Sequence, residues 1–450
     1  MATAASFIAR WSASICALAA AFAIAGLRRS DPQKYYSLLW ALDGAVEHHP
    51  FGDLNAVLRA AFCWRHGVNV YIPNACMGGG IYNYSPLLLR LGDLPLGGPD
   101  LAGIIIALAF IASLAALPPP QRVAEFLLRI AAACSGSVLF ALERGNIDVL
   151  IYLATIGGVF LLAGRLARRV TGYALFLLLA AVKFYPLTLL VLLARERLPL
   201  VLALAAAAAA LVWLYFHSFG DSFAHAMRII PHEYPFGGSF GSINLPYGLA
   251  VFFDPPVPAT IDAVVNYQLP PQIRQIFKIV QILAVLPAAA AARTYIAPLA
   301  RLDEPRRLLL IAGAALTAGC FFAAQNIDYR GIFLLLTLPG LAALAQRAAG
   351  PLRTRFRALT IVVPLLLWEA ALRYGVTRLS ARLLPREAAT PEVLFWFCRE
   401  ILWWWVAIQL TAFVLAFLWP AIRARLAELQ ALVAGDLTPR RRNRNLTKYL

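Results

Sequence analysis

The chain predicts an all-α polytopic membrane protein of about 12 (11–13) transmembrane helices with two long extracytoplasmic loops, residues 28–98 and 218–273. Three observations carry this. Of 450 residues, 61% are hydrophobic and only 14% charged, with a mean hydropathy of +0.70. Apolar runs of about 18 to 25 residues recur along the chain, long enough to cross a hydrocarbon core. Most of the 40 Lys and Arg fall in short connections and a tail, as the positive-inside rule requires. That rule also accounts for the net charge of +17, so no nucleic-acid partner is expected.

The first run, near 6–27, could pass for a signal peptide, with Ala23-Ile24-Ala25 resembling a cleavage site. With so many spans behind it, an uncleaved signal anchor is the better reading. In the first loop, Leu54, Val57, Leu58, Ala61 and Phe62 recur at helical spacing after Asp53, which predicts a short amphipathic helix lying at the interface. Cys63 and Cys76 share this loop and are either two free thiols or a disulfide, if that side is oxidising. Cys16, Cys134, Cys320 and Cys398 lie in or beside apolar runs and read as small buried residues. Gly78-Gly79-Gly80 lacks the lysine and helix of a phosphate loop and reads as a turn.

Further spans are expected near 100–117, 122–142 and 147–164, with Glu125 and Arg129 pairing at i, i+4 spacing. The stretch 171–195 is one helix, or a hairpin broken at Tyr185-Pro186. Its flanks, 164–169 and 195–197, are both basic, and only the hairpin puts both on the cytoplasmic side. Each arm is then roughly 15 to 20 Å long, with Lys183 at a tip near the outer boundary. The remaining spans fall near 198–217, 274–296, 306–324, 330–348, 357–374 and 394–420, and residues 422–450 form a basic cytoplasmic tail on a single integral membrane domain. Arg28 and Arg29, and Arg378, Arg382 and Arg386 in an outer loop, run against the charge rule.

Lys183 stands out first, because an ammonium at bilayer depth costs roughly 2.5 to 3.5 kcal/mol and is a functional candidate by default. The predicted topology places it on the same side as Asp53 and the turns 143–148 and 325–330. Arg144, Asn146 and Asp148 lie in one turn; Gln325, Asn326, Asp328, Tyr329 and Arg330 lie in the other. Such turns are ordinarily just solvated. The functional reading has Lys183, Arg144 and Arg330 grip an anionic phosphate. Asp53, just before a helix, is ordinarily an N-cap; it can also be a general base at the membrane surface. The segment 231–248 is rich in aromatic, Gly, Ser and Asn residues and suits sugar rings, though an interfacial aromatic belt looks the same. His232 with Glu233 offers too few ligands for zinc, and no metal or other cofactor is expected.

The order of these pieces resembles glycosyltransferase family 87, polytopic enzymes of the C-type (GT-C) superfamily that use polyprenyl-phosphate mannose. The matching residues are Gly52-Asp53, Gly67, Tyr71, Tyr84-Ser85-Pro86, Arg144 to Asp148, Lys183-Phe184-Tyr185-Pro186, and Tyr329-Arg330 ahead of Pro339. They cover roughly residues 35 to 345. The resemblance implies a GT-C-like bundle and inverting transfer of a hexose, often mannose, from a polyprenyl-phosphate donor to a lipid or glycan hydroxyl outside the cytoplasm. Asp53 would match the catalytic aspartate of the first outer loop. Lys183, Arg144 and Arg330 would hold the donor phosphate, with Asn146, Asp148, Tyr185, Asn326, Asp328, Tyr84 and His232 around the substrates. The enzyme would sit in the cell (inner or plasma) membrane among its lipids. No second carboxylate suits a metal-bridging pair, since Asp93 and Asp100 lie close to the second span.

The rival class is a transporter or a flippase of lipid-linked sugar. Transporters place broken helices near the midplane at the interface of internal repeats. This chain has one broken hairpin and no convincing repeat.

Overall fold

The structure is a computed structural model and describes residues 2–43, 50–93, 98–228, 234–255, 263–264, 266–384 and 389–433. Among them the fold is all-α apart from two antiparallel two-residue strands, β1 (Ser239–Phe240) and β2 (Asn326–Ile327). Among the described residues, seven helices are long and apolar enough to cross a membrane, or up to nine if each bent pair counts as one. The protein is therefore a multi-pass helical membrane protein.

The centre is built from Glu304–Ala323 and the segment Asp328–Arg347, whose faces are almost wholly buried by neighbouring helices. The periphery is the reverse. Helix α9 (Leu198–Arg228) shows most of its apolar surface outward, including Trp213 and Leu214, as a lipid-facing helix does.

Several spans differ from the sequence reading. The first loop holds two helices, α2 (Pro32–Asp43) and α3 (Gly52–Arg65), behind a first helix α1 (Ala2–Ser30). On α3, Leu54, Val57 and Ala61 face inward as expected, but Phe62 is exposed and Ala60 and Cys63 complete the buried face. The expected 100–117 span opens with α4 (Pro99–Ser113), and the expected 122–142 span is α5 (Val123–Ala133) and α6 (Gly136–Glu143), bent by 41°. Ser135 caps the second piece. A Cβ at Gly136 would lie 2.0 Å from the Leu42 carbonyl oxygen, so only glycine lets α2 approach here. The expected 357–374 span splits into Gly350–Leu367 and Glu369–Leu383 at a 70° bend. Arg378 and Arg382 therefore lie on a helix and not in a loop. The 198–217 span runs on to Arg228, and the second loop contains β1 and α10 (Asn244–Phe253). The last helix, Ala389–Val433, extends into the predicted tail, whose residues 434–450 lie outside the described residues.

The 171–195 stretch is a hairpin. Helix α8 (Leu166–Val182) ends at Lys183, which is extended, and a 3₁₀ helix, Tyr185–Arg195, turns back. The Tyr173 hydroxyl, early in α8, donates to the Leu192 carbonyl at 3.0 Å, so the arms run antiparallel. The break falls at Lys183 and not at Tyr185-Pro186. Pro186 opens the second arm, where its missing N–H leaves no bond unmade.

Glu125 and Arg129 pair, both buried. Gly78 and Gly79 have positive φ, as the turn reading requires. Cys63 and Cys76 form a disulfide. It ties the end of α3 to a turn that Arg59 also holds, donating to the Cys76 carbonyl at 2.6 Å. Closing this short loop is worth about 2–4 kcal/mol. Cys63→Ser is expected to lower the melting temperature, whereas Cys398→Ser, at an exposed free thiol, should leave it unchanged. Equal melting of the two variants would show that the bridge contributes nothing.

A buried charge network as the candidate active site

The chain first sets Asp53 by backbone. Phe51 adopts a left-handed conformation (φ 59°), and its N–H donates to the Glu143 carbonyl at 2.5 Å. The Asp53 N–H donates to the Arg144 carbonyl at 3.0 Å. The start of α3 is thus clamped to the 143–146 turn, where Gly145 (φ 59°) packs against Leu54 and Phe51. Phe51 is the N-cap residue, so the N-cap reading of Asp53 does not hold. Asp53 lies in the first turn and sends its carboxylate elsewhere.

That carboxylate meets Arg144 and Asn146. Oδ1 accepts from Arg144 Nε at 3.0 Å and Nη2 at 2.6 Å, and Oδ2 accepts from the Asn146 amide nitrogen. Asn146 is itself the N-cap of α7 (Ile147–Leu162), its Oδ1 accepting the Asp148 N–H at 2.9 Å. The same Oδ1 accepts from Lys183 Nζ at 3.2 Å. One side chain therefore touches both the aspartate of the first loop and the lysine of the hairpin.

Asp148, fully buried, is the second anchor. Its Oδ1 accepts from Lys183 Nζ at 2.7 Å and the Tyr185 hydroxyl at 2.5 Å, and its Oδ2 from Arg330 Nε at 3.2 Å. Its place in the first turn of α7 also suits a negative charge. Arg330 donates onward to Asn326 and lies 5.7 Å from the Tyr185 ring. The Tyr84 ring is 5.4 Å from Lys183 Nζ. Burial, reinforced by the charge of Asp53, raises the Tyr84 phenol well above its ordinary value, so it stays neutral.

Asp53, Arg144, Asn146, Asp148, Lys183, Tyr185, Asn326, Arg330 and Tyr84 thus form one network, with Tyr329, 6.0 Å from Lys183 Nζ, beside them. Asp328 does not join it. Its carboxylate is within electrostatic reach of Glu369, Arg373, Arg399 and Glu400, and neither oxygen accepts a hydrogen bond among the described residues. His232 lies outside the described residues. A cleft lined by Arg10, Phe126, Arg129 and Leu335 contains none of the network.

Among the described residues, two carboxylates stand against three cations in the network, which leaves one positive charge over. The side chains of Arg144 and Arg330 are each 22% exposed, whereas Asp148 is sealed. The accessible edge is cationic. Such a centre can take an anion, and its charges are fixed by packing before the anion arrives.

Sequence reasoning missed a second buried cluster, Glu369, Arg399 and Glu400. The signal was present: a charged pair inside an apolar run merits the same suspicion as Lys183.

Fold and site together define a polytopic helical membrane protein with a preformed, net-cationic ion network at its helix ends. Comparison with protein-family models, curated proteins and solved structures finds no match to this chain.

Proposed function

We propose that the protein is a membrane glycosyltransferase of GT-C-like architecture with about twelve spans, resembling glycosyltransferase family 87. It moves a hexose, mannose being the leading choice, from a polyprenyl-phosphate donor to a lipid or glycan hydroxyl. The observation that carries this reading is Asn146, which joins the buried Asp53 carboxylate to a cationic cluster with one charge in excess among the described residues.

Asp53 is the base. A carboxylate has about four lone-pair sites, and the donors on Asp53 occupy three, leaving one on Oδ2 for the acceptor hydroxyl. The proton passes to Oδ2 while the acceptor oxygen attacks the anomeric carbon from the face opposite the phosphate. The bond from the anomeric carbon to the phosphate oxygen breaks, its electron pair leaves with polyprenyl phosphate, and the configuration inverts. Arg144 and Arg330, with Lys183 behind them, stabilise the charge gathering on that phosphate. The Cys63–Cys76 disulfide supports an oxidising, extracytoplasmic location for the loop that carries Asp53, in the cell membrane.

The test is to offer purified protein in lipid vesicles a panel of polyprenyl-phosphate sugars with candidate acceptors. Release of polyprenyl phosphate together with a new glycosidic bond is expected. Movement of intact lipid-linked sugar across the bilayer with no new bond would make the protein a flippase.

A further inference from the structure

The last helix, Ala389–Val433, lies beyond every residue that carries the family resemblance, yet it holds a contact chain that ends at Arg330. Arg399 is 3% exposed and uses all five guanidinium N–H groups. Nε and Nη2 donate to Glu400 Oε1 at 3.1 and 2.6 Å, and Nη1 to Glu369 Oε1 at 2.7 Å. Nη1 also reaches the Gly237 carbonyl at 2.6 Å, and Nη2 the Pro235 carbonyl at 3.3 Å. Glu400 Oε1 in turn accepts from Asn244 at 2.7 Å, and Asn244 Oδ1 accepts from Gln325 at 2.8 Å.

The segment gripped in this way is the one that makes β1. Ser239 and Phe240 pair with Ile327 and Asn326, and the Asp328 N–H donates to the Gly238 carbonyl at 3.0 Å. A Cβ at Gly241 would lie 2.4 Å from the Ala324 carbonyl oxygen, so the two segments touch backbone to backbone. Phe240 stacks on Trp403 of the same last helix at 4.1 Å. From Asn326 the path is one hydrogen bond to Arg330. Ser239 and Asn244, which suited sugar rings by composition, are buried and turned into this assembly.

We propose that Arg399 is a positioning residue: through Glu400, the Pro235 and Gly237 carbonyls and the β1–β2 pair, it fixes Asn326 and hence the guanidinium of Arg330 at the phosphate side of the site. A two-residue strand pair has too few bonds to hold itself. The fork of Arg399 supplies the missing constraint, and an ammonium with three donors cannot reproduce it. This rests on the transferase reading only for what Arg330 does, not for how it is held.

Two measurements on the full chain in lipid test it. In Arg399→Lys and Arg399→Met, hydrogen exchange of residues 325–330 should speed up while the central helix Glu304–Ala323 exchanges as before. Unchanged exchange in 325–330, or an equal rise in both segments, overturns the proposal. In turnover, Arg399→Lys should lower kcat by about ten- to a hundredfold, as displacement of a catalytic group does. Arg399→Lys with Arg330→Lys should then be no slower than Arg330→Lys alone. Multiplying effects overturn the proposal. If the unaltered protein transfers no sugar, the transferase reading fails and hydrogen exchange alone decides on the brace. Should Arg399→Met fail to fold, the charge-preserving lysine variant still carries both measurements.

Discussion

Asp53→Asn is expected to lower sugar transfer by about 10²- to 10⁴-fold, the usual contribution of a general base. The variant removes the proton acceptor and keeps the shape. Arg144 can still donate to the amide oxygen, so α3 stays attached to the 143–146 turn. The new amide nitrogen, however, meets the Asn146 nitrogen, donor against donor. Asn146 cannot rotate to relieve this, because its oxygen already serves Lys183 and the Asp148 N–H. A local cost of about 1–3 kcal/mol follows, visible as a modest fall in melting temperature. Turnover and thermal unfolding measured on one preparation separate the two effects. Transfer that continues undiminished would end the assignment of Asp53 as base.

Asp148→Asn should act mainly on stability. Asp148 is the carboxylate between Lys183 and Arg330, in a site that water does not reach. Removing its charge leaves two cations facing each other, and breaking such a buried pair costs about 3–5 kcal/mol. The network then carries two surplus positive charges where it had one. Adding Lys183→Met returns the surplus to one, so Asp148→Asn with Lys183→Met should regain most of the lost stability. It should regain none of the activity, since on the proposed reading Lys183 backs the two arginines that hold the donor phosphate. Thermal unfolding of the three proteins in lipid checks this. A single Asp148→Asn variant that melts with the unaltered protein would mean that Asp148 is not the counter-ion.

Much of this centre was legible because charge is expensive where the chain is apolar. Lys183 in a leucine-rich run, and Arg144 and Arg330 in short turns between spans, each had to find a partner, and charge asymmetry put them on one side. The hairpin followed from the same bookkeeping. Other parts left no readable trace. The β1–β2 pair is two residues long, below any alternation that marks a strand. The bend at residues 134–135 contains no proline, and Pro364 lies a turn ahead of the bend at Trp368, inside the apolar run, so hydropathy averaged each pair of helices into one span. Asp328 was grouped with Arg330 by adjacency in sequence, but a 3₁₀ turn sends neighbouring side chains in different directions. Arg399 and Glu400 were passed over because the surrounding tryptophans kept that run apolar on average.

The protein itself holds α9 weakly. Tyr215 meets Ser85 at 3.0 Å, His225 meets the Tyr71 carbonyl at 3.0 Å, and Phe216 rests on Phe184, next to Lys183; most of its remaining apolar surface faces outward. In a bilayer, acyl chains would complete the wall beside the hairpin, and a micelle that swaps them for surfactant would alter that wall without changing a residue of the charge network. Reconstituted bilayers are therefore the medium in which the proposed transfer is to be measured.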